Sequence, residues 1–183
     1  MKNRLLTSTL LLLAASCAHA GDFVLTSQDI GQGVQLSLAQ VQAGSGCTGG
    51  DVSPQLSWSS GPEGTRSYAV TMYDPDAPTG SGWWHWSVVN IPASVHSLAT
   101  NAGTTSGQNL PAGAQQGRTD FAKPGYGGAC PPPGQTHRYR FKVWALKIDR
   151  IQINAEMSAA QIGYMLGANS LATAELTPIS DHR

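Results

Sequence analysis

Few side chains in this sequence have the chemistry to hold or attack a ligand, and most of them crowd into two stretches. The first is YDPDAPTGSGWWHWSVVNIP, residues 73–92, with Asp74 and Asp76 at the end of one strand-like run and His85 at the start of the next. The second is CPPPGQTHRYRF, residues 130–141, where His137 and Tyr139 open a strand after Cys130, Pro131 and Pro132. If these strands are neighbours in one sheet, two carboxylates, two imidazoles and a phenol converge at one end of it. Such a set can hold a metal ion, run general acid–base chemistry, or bind an anion through imidazole and phenol donors.

The sequence weighs these options unequally. A zinc site is disfavoured because no close His-x-His or His-x-x-x-His spacing accompanies the aspartates. A serine hydrolase would carry a G-x-S-x-G elbow, and a phosphate loop would read G-x-x-x-x-G-K; neither occurs. A cysteine hydrolase using Cys130 and His137 stays open, in competition with a disulfide that would consume the same thiol. For Asp76, deep in a proline-stiffened turn, binding competes evenly with simple turn chemistry, in which the carboxylate accepts nearby backbone N–H groups. The same turn leaves room for a cis X-Pro bond.

The elements that must position these groups are mostly strands. Phe23–Thr26, Gln35–Leu38, Ser67–Tyr73, His85–Ile91 and His137–Lys147 are rich in β-branched, aromatic or alternating residues and are bounded by turn formers. In HRYRFKVWAL the alternation places His137, Tyr139, Phe141, Val143 and Ala145 on one face, with Arg138, Arg140 and Lys142 on the other. The intervening SGCTGGDVSP, TNAGTTSGQNLPAGAQQG and GYGGACPPPGQT read as long ordered loops or a flap. SAAQIGYMLGANSLATAELTPI predicts a late helix, capped by Ser158 with Ile162, Met165 and Leu166 on one face, and then a returning strand. The fold class expected is mainly β: an antiparallel β-sandwich with one or two C-terminal helices.

Residues 1–20 read as a signal peptide: a basic MKNR start, an apolar run too short to cross a bilayer comfortably, and an AHA cleavage signal before Gly21. The rival readings are a retained anchor and a lipoprotein processed at Cys17, although Ala14 stands where a lipobox usually carries leucine. Removing the leader leaves 163 residues, one domain over 21–183, in which nine Lys and Arg face eleven Asp and Glu. No basic stripe points to nucleic acid, and no later apolar stretch is long enough for a transmembrane segment. The mature chain keeps two cysteines, Cys47 and Cys130, and an even pair in an oxidising compartment predicts one disulfide.

The text DPDAP, the WHW segment and GQTHRYRFKVWAL together resemble the phosphatidylethanolamine-binding protein family, in its bacterial Raf-kinase-inhibitor-like branch. The resemblance extends through DVSPQLSW, LPAGAQQGRTDF and GYGGACPPPGQTHRYRF, and so covers nearly all of the mature chain. It implies a Greek-key β-sandwich with a C-terminal helix and a small pocket for phosphate-like anions. It implies as pocket residues Asp74, Asp76, His85, the Cys130-Pro131-Pro132 wall, His137 and Tyr139. No cofactor, metal or catalytic residue is implied. The ligand would be a phosphate-like anion or phospholipid head group, with a protein partner possible and the protein periplasmic or secreted.

Electrostatics constrains how such a pocket works. An anion about 4 Å from an ionised aspartate meets roughly 4 kcal/mol of repulsion at an effective dielectric near 20. The aspartates are therefore expected to be engaged by backbone donors or histidines, leaving His85, His137, Tyr139 and loop N–H groups to face the ligand. The rival functions are a hydrolase of phosphate or acyl esters using the same histidines, and an inhibitor of a secreted enzyme contacting it through the flap near residues 101–120.

Overall fold

The computed structural model describes residues 22–182. The expected leader, Cys17 and the cleavage site after Ala20 lie outside these residues. In chain order the early strands are β1 (Leu25–Thr26), β2 (Ala43–Gly44), β3 (Cys47–Thr48), β4 (Leu56–Trp58), β5 (Ser67–Asp74) and β6 (Trp83–Pro92). They are followed by β7 (Ser97–Leu98), β8 (Gln115–Gln116), β9 (His137–Arg138), β10 (Arg140–Leu146), the helix α1 (Ala159–Asn169), β11 (Ser170–Leu176) and β12 (Ile179–Ser180).

The central sheet has the order β11-β10-β5-β6-β8, and a three-stranded sheet has the order β1-β4-β7. Every pairing between the named strands is antiparallel. Alternation explains the core between the two sheets. Tyr68, Val70 and Met72 of β5 share one face with Phe141, Val143 and Ala145 of β10, and pack with Leu25, Leu56, Trp58 and Leu98 of the smaller sheet. The opposite face of the central sheet, at Ala69, Val89 and Leu146, is covered by Ile162 and Leu166 of α1. The helix begins where expected: Ser158 accepts from the Gln161 N–H, and Gln161 reaches back to the Ser158 N–H in a capping box.

The expected strand runs at Ser67–Tyr73 and His85–Ile91, the inward set His137, Tyr139, Phe141, Val143 and Ala145, and the returning strand after the helix all match the structure. Two strand readings need correction. Gln35–Leu38 is not a strand: Gln35 makes one parallel bridge to Ile179, and a 3-10 turn then starts, with the Gln40 N–H on the Ser37 carbonyl and the Ser37 hydroxyl on Gln40 Oε1. His137–Lys147 is two strands, split at Tyr139, whose N–H donates to Pro178; β9 pairs with β12, and β10 with β5 and β11. There is one α-helix among the described residues, and every peptide bond among them is trans. The segment read as loop around Cys47 also contains the short β2–β3 hairpin.

A Cys47–Cys130 disulfide ties that hairpin to the segment leading into β9, with Cα atoms 5.9 Å apart and the two cysteines 83 positions apart in sequence. Cross-linking so long a loop removes much of the unfolded chain's freedom. The double substitution Cys47→Ser, Cys130→Ser should lower unfolding stability by about 2–4 kcal/mol, read as a lower urea midpoint with a steeper slope, because the unfolded chain is then free to expand.

Candidate functional site

The antiparallel order decides what meets what. β5 ends at Asp74, β6 starts at Trp83, and β10 starts just after β9, so the three elements bring these termini to one end of the central sheet. Asp74 continues the inward face of Tyr68, Val70 and Met72, which is why a carboxylate lies 3% exposed at the edge of an apolar core. His137 continues the inward face of β10 in the same way and is also 3% exposed.

His85 gets there by a different route. Met72 pairs with Trp86 and Tyr73 with Trp84, leaving His85 as the extra residue of a β-bulge. A bulge re-aims a side chain without ending the strand. Here it separates the three indoles. Trp84 stacks on Tyr73 on the outer face, with centroids 4.7 Å apart, and Trp86 is fully buried in the core. His85 and Trp83 face a cavity between them. The turn that joins β5 to β6 depends on Gly82: its φ is +67°, and a Cβ there would lie 2.2 Å from the Tyr73 hydroxyl.

The Asp74 carboxylate is saturated. Its Oδ1 accepts the N–H groups of Asp76 at 2.8 Å and Ala77 at 3.1 Å, and its Oδ2 accepts the Nδ1–H of His137 at 2.8 Å. The expectation that the carboxylate is held by backbone donors and a histidine describes this geometry. The other His137 nitrogen, Nε2, lies 2.9 Å from the Gln135 side-chain oxygen, so both ring nitrogens are engaged.

His85 is anchored at one nitrogen only. Its Nδ1–H donates to the Gly127 carbonyl at 2.8 Å, and its ring stands edge-on to Tyr139 and Phe121, with both centroids 5.3 Å away. No described residue makes a hydrogen bond to Nε2. Burial lowers the His85 pKa from its ordinary value, against the opposing pull of the Gly127 carbonyl and the Asp74 carboxylate. Gly127 has to be glycine, because a Cβ would sit 2.3 Å from the Phe121 ring that helps form the cavity wall.

The cavity holds about 220 Å³ and is walled by Trp83, Phe121, Pro132 and Cys130, with Asp74, His85 and His137 among its polar groups. A larger groove of about 550 Å³ lies elsewhere, beside Gln116, Arg118 and Glu156, and none of the expected site residues lines it. Of these two, the smaller is the one where the expected carboxylate and imidazoles converge between apolar walls.

Comparison with known proteins decides the lineage of this site. The sequence model described as phosphatidylethanolamine-binding protein matches residues 26–180. The chain belongs to the phosphatidylethanolamine-binding protein family. It is 56% identical over 176 residues to the UPF0098 protein YbcL of Escherichia coli K12, covering 96% of each chain. It resembles the crystal structure of E. coli YbcL, described as a new member of the mammalian PEBP family, with a TM-score of 0.86 and 57% identity over 88% of this chain and 99% of that one. It also resembles a putative phosphatidylethanolamine-binding protein homologue, CT736 from Chlamydia trachomatis, with a TM-score of 0.72 and 29% identity over 87% and 97% of the two chains.

Within this family fold, the residues singled out from sequence fall into two groups. Asp74, His85, Cys130, Pro132 and His137 line the cavity. Asp76, Pro131 and Tyr139 do not. Asp76 instead accepts the backbone N–H, the Nε–H and an Nη2–H of Arg138, whose hydrogen bonds lower its carboxyl pKa to about 2. Tyr139 is fully buried behind His85, and burial, with the Asp74 carboxylate, pushes its phenol well above the usual range. Cys130 is oxidised, so no thiolate nucleophile is available to the cysteine-hydrolase reading.

Sequence reasoning missed Gln42, Ser45, Thr79 and Phe121 in the wall, and Gln135 on His137. The first two belong to and precede the hairpin carried by the disulfide, and nothing local in their sequence marks them. The TDF segment containing Phe121 was a usable signal through the family resemblance.

Asp74 and Asp76 should behave differently on removal. Asp74→Ala strands buried N–H groups and the His137 imidazole, and should cost about 2–4 kcal/mol in urea unfolding. Asp76→Ala loses a partly exposed ion pair and should cost less than about 1 kcal/mol. Because the Asp76 pKa is depressed from 3.8 to about 2, its contribution is complete above pH 3.8 and disappears as pH falls towards about 2. Asp76→Asn should therefore lose that contribution at neutral pH, converge with the native protein near pH 2, and so flatten the acid limb of the stability profile between them.

Proposed function

We propose that this protein is an exported binding protein of regulatory type whose cavity takes one phosphate-like group, such as a phospholipid head group. One observation carries the reading: His85 is a buried imidazole fixed by a backbone carbonyl at Nδ1 and unpartnered at Nε2, facing a cavity in which the neighbouring carboxylate is already satisfied. An oxyanion arriving at Nε2 meets a donor once the ring takes a proton, and the Asp74 charge is spread over three N–H groups. At about 30 Å³ per water, 220 Å³ amounts to about seven waters, room for a head group rather than acyl chains. The Trp83 and Phe121 rings, edge-on to each other with centroids 5.4 Å apart, supply an aromatic wall beside which an ammonium carried by such a head group would sit.

Membership of the phosphatidylethanolamine-binding protein family supports ligand binding in general. The leader-like residues 1–20 and the disulfide support an oxidising compartment, periplasmic or extracellular. Binding, rather than hydrolysis, is the reading because Asp74 and His137 are spent on each other and Cys130 on Cys47.

Calorimetry with glycerophosphoethanolamine tests this reading, since a phosphodiester keeps one negative charge as pH varies. The native protein should bind, and His85→Ala, though less stable, should lose about tenfold or more in affinity at a temperature where thermal unfolding shows it folded. The His85 ring is faced by Asp74, Asp120, Phe121 and Tyr139. Its pKa in the free protein is low and an anion raises it, so binding takes up a proton. Affinity should climb as pH falls from 8 and level off below the free-protein pKa. Affinity that is flat from pH 8 to 5.5, or unchanged in His85→Ala, would remove the imidazole from the site.

A further inference from the structure

The two histidines that face the cavity are not equally ready for a ligand. His85 offers a free Nε2, whereas the Nε2 of His137 is already held by the side-chain amide of Gln135 at 2.9 Å. The amide can be turned either way, presenting its oxygen to a ring N–H or its NH2 to a bare ring nitrogen. In both orientations it occupies the direction from which an oxyanion would approach that nitrogen.

The two hydrogen bonds of His137 are built very differently. On the Nδ1 side stands Asp74, buried, fixed by two backbone N–H groups and part of the core face of β5. On the Nε2 side stands Gln135, an exposed residue at the end of a turn in which its own N–H donates to the Pro132 carbonyl and Gly134 has a φ of +75°. The Gln135 amide has His137 as its one hydrogen-bond partner among the described residues. Swinging it away therefore costs a single neutral hydrogen bond, partly returned by water, and leaves the backbone in place.

We propose that Gln135 is an internal cap on the anion site and sets its affinity: its amide stands in for a ligand oxygen on His137 and must be displaced before a phosphate-like group can engage both imidazoles. The proposal rests on the anion-binding reading above and adds a residue which that reading does not require. A cap of this kind lowers apparent affinity by the fraction of molecules in which it is closed. It also selects ligands. A neutral polar group gains nothing by replacing one neutral hydrogen bond with another, whereas an oxyanion gains a charge-assisted one when the ring carries an Nε2–H as well as the Nδ1–H held by Asp74. The capped state thus discriminates against water and neutral alcohols in favour of phosphate-like groups.

The test is calorimetry with inorganic phosphate and glycerophosphoethanolamine on the native protein, Gln135→Ala and Gln135→Glu, with thermal unfolding as the folding control. Gln135→Ala removes the competitor and should bind about threefold to tenfold tighter, in line with the loss of one neutral hydrogen bond. Gln135→Glu puts a carboxylate on the same nitrogen and should weaken binding by about tenfold or more. Detectable binding by Gln135→Ala alone would be the strongest form of the expected result. Equal or weaker binding by a well-folded Gln135→Ala, with binding still dependent on His85, would overturn the cap and leave the anion site standing. Absence of binding by all three proteins would overturn the anion site and the cap with it.

Discussion

A carboxylate buried at the edge of an apolar core is an electrostatic cost unless it is neutralised by groups that cannot leave. In this fold Asp74 meets that constraint. Its oxygens accept two backbone N–H groups from the turn that follows it and the Nδ1–H of a buried histidine. Much else at this end of the sheet serves that arrangement. The proline-rich turn after β5 is stiff because each proline fixes its own φ, and this stiffness holds the Asp76 and Ala77 N–H groups on Asp74. The second carboxylate of the same motif is drawn off by Arg138 on the strand carrying His137, so it anchors the turn to β9 instead of adding charge to the cavity.

The two imidazoles then divide the work by how they are held. His137 is locked to the carboxylate and steadies it. His85, displaced into the cavity by a bulge and hung on the Gly127 carbonyl, keeps one nitrogen uncommitted. Burial favours its neutral form. The aromatic groups behind and beside it, Tyr139 and Phe121, fix the ring plane without competing for that nitrogen. The disulfide closes the opposite wall, since Cys130 lines the cavity and Cys47 belongs to the hairpin that brings in Ser45.

Where sequence reading and structure part company, the cause is tertiary. The strand HRYRFKVWAL has the right inward face, but it breaks at Tyr139 because Pro178 and β12 capture its first two residues. Gln35–Leu38 has strand composition, yet its backbone finds one bridge at Ile179 and then a stabilised 3-10 turn. Asp76 and Asp74 look equivalent two residues apart. They diverge because one continues the core face of β5 and the other lies where the Arg138 guanidinium can reach it.

By itself the sequence determined the alternation that buries His137 and Tyr139, the capped late helix, the antiparallel β class, the cysteine pair and the motifs of the family. These are local periodicities or long identical stretches, and both survive in one dimension. Only the tertiary structure decided which nitrogens and oxygens are free. That depends on a bulge at His85, on the Gly127 carbonyl 42 residues away in sequence, and on the Gln135 amide reaching back over the strand it precedes. Hydrogen-bond capacity belongs to atoms, and which atoms are already satisfied is settled only when distant segments meet.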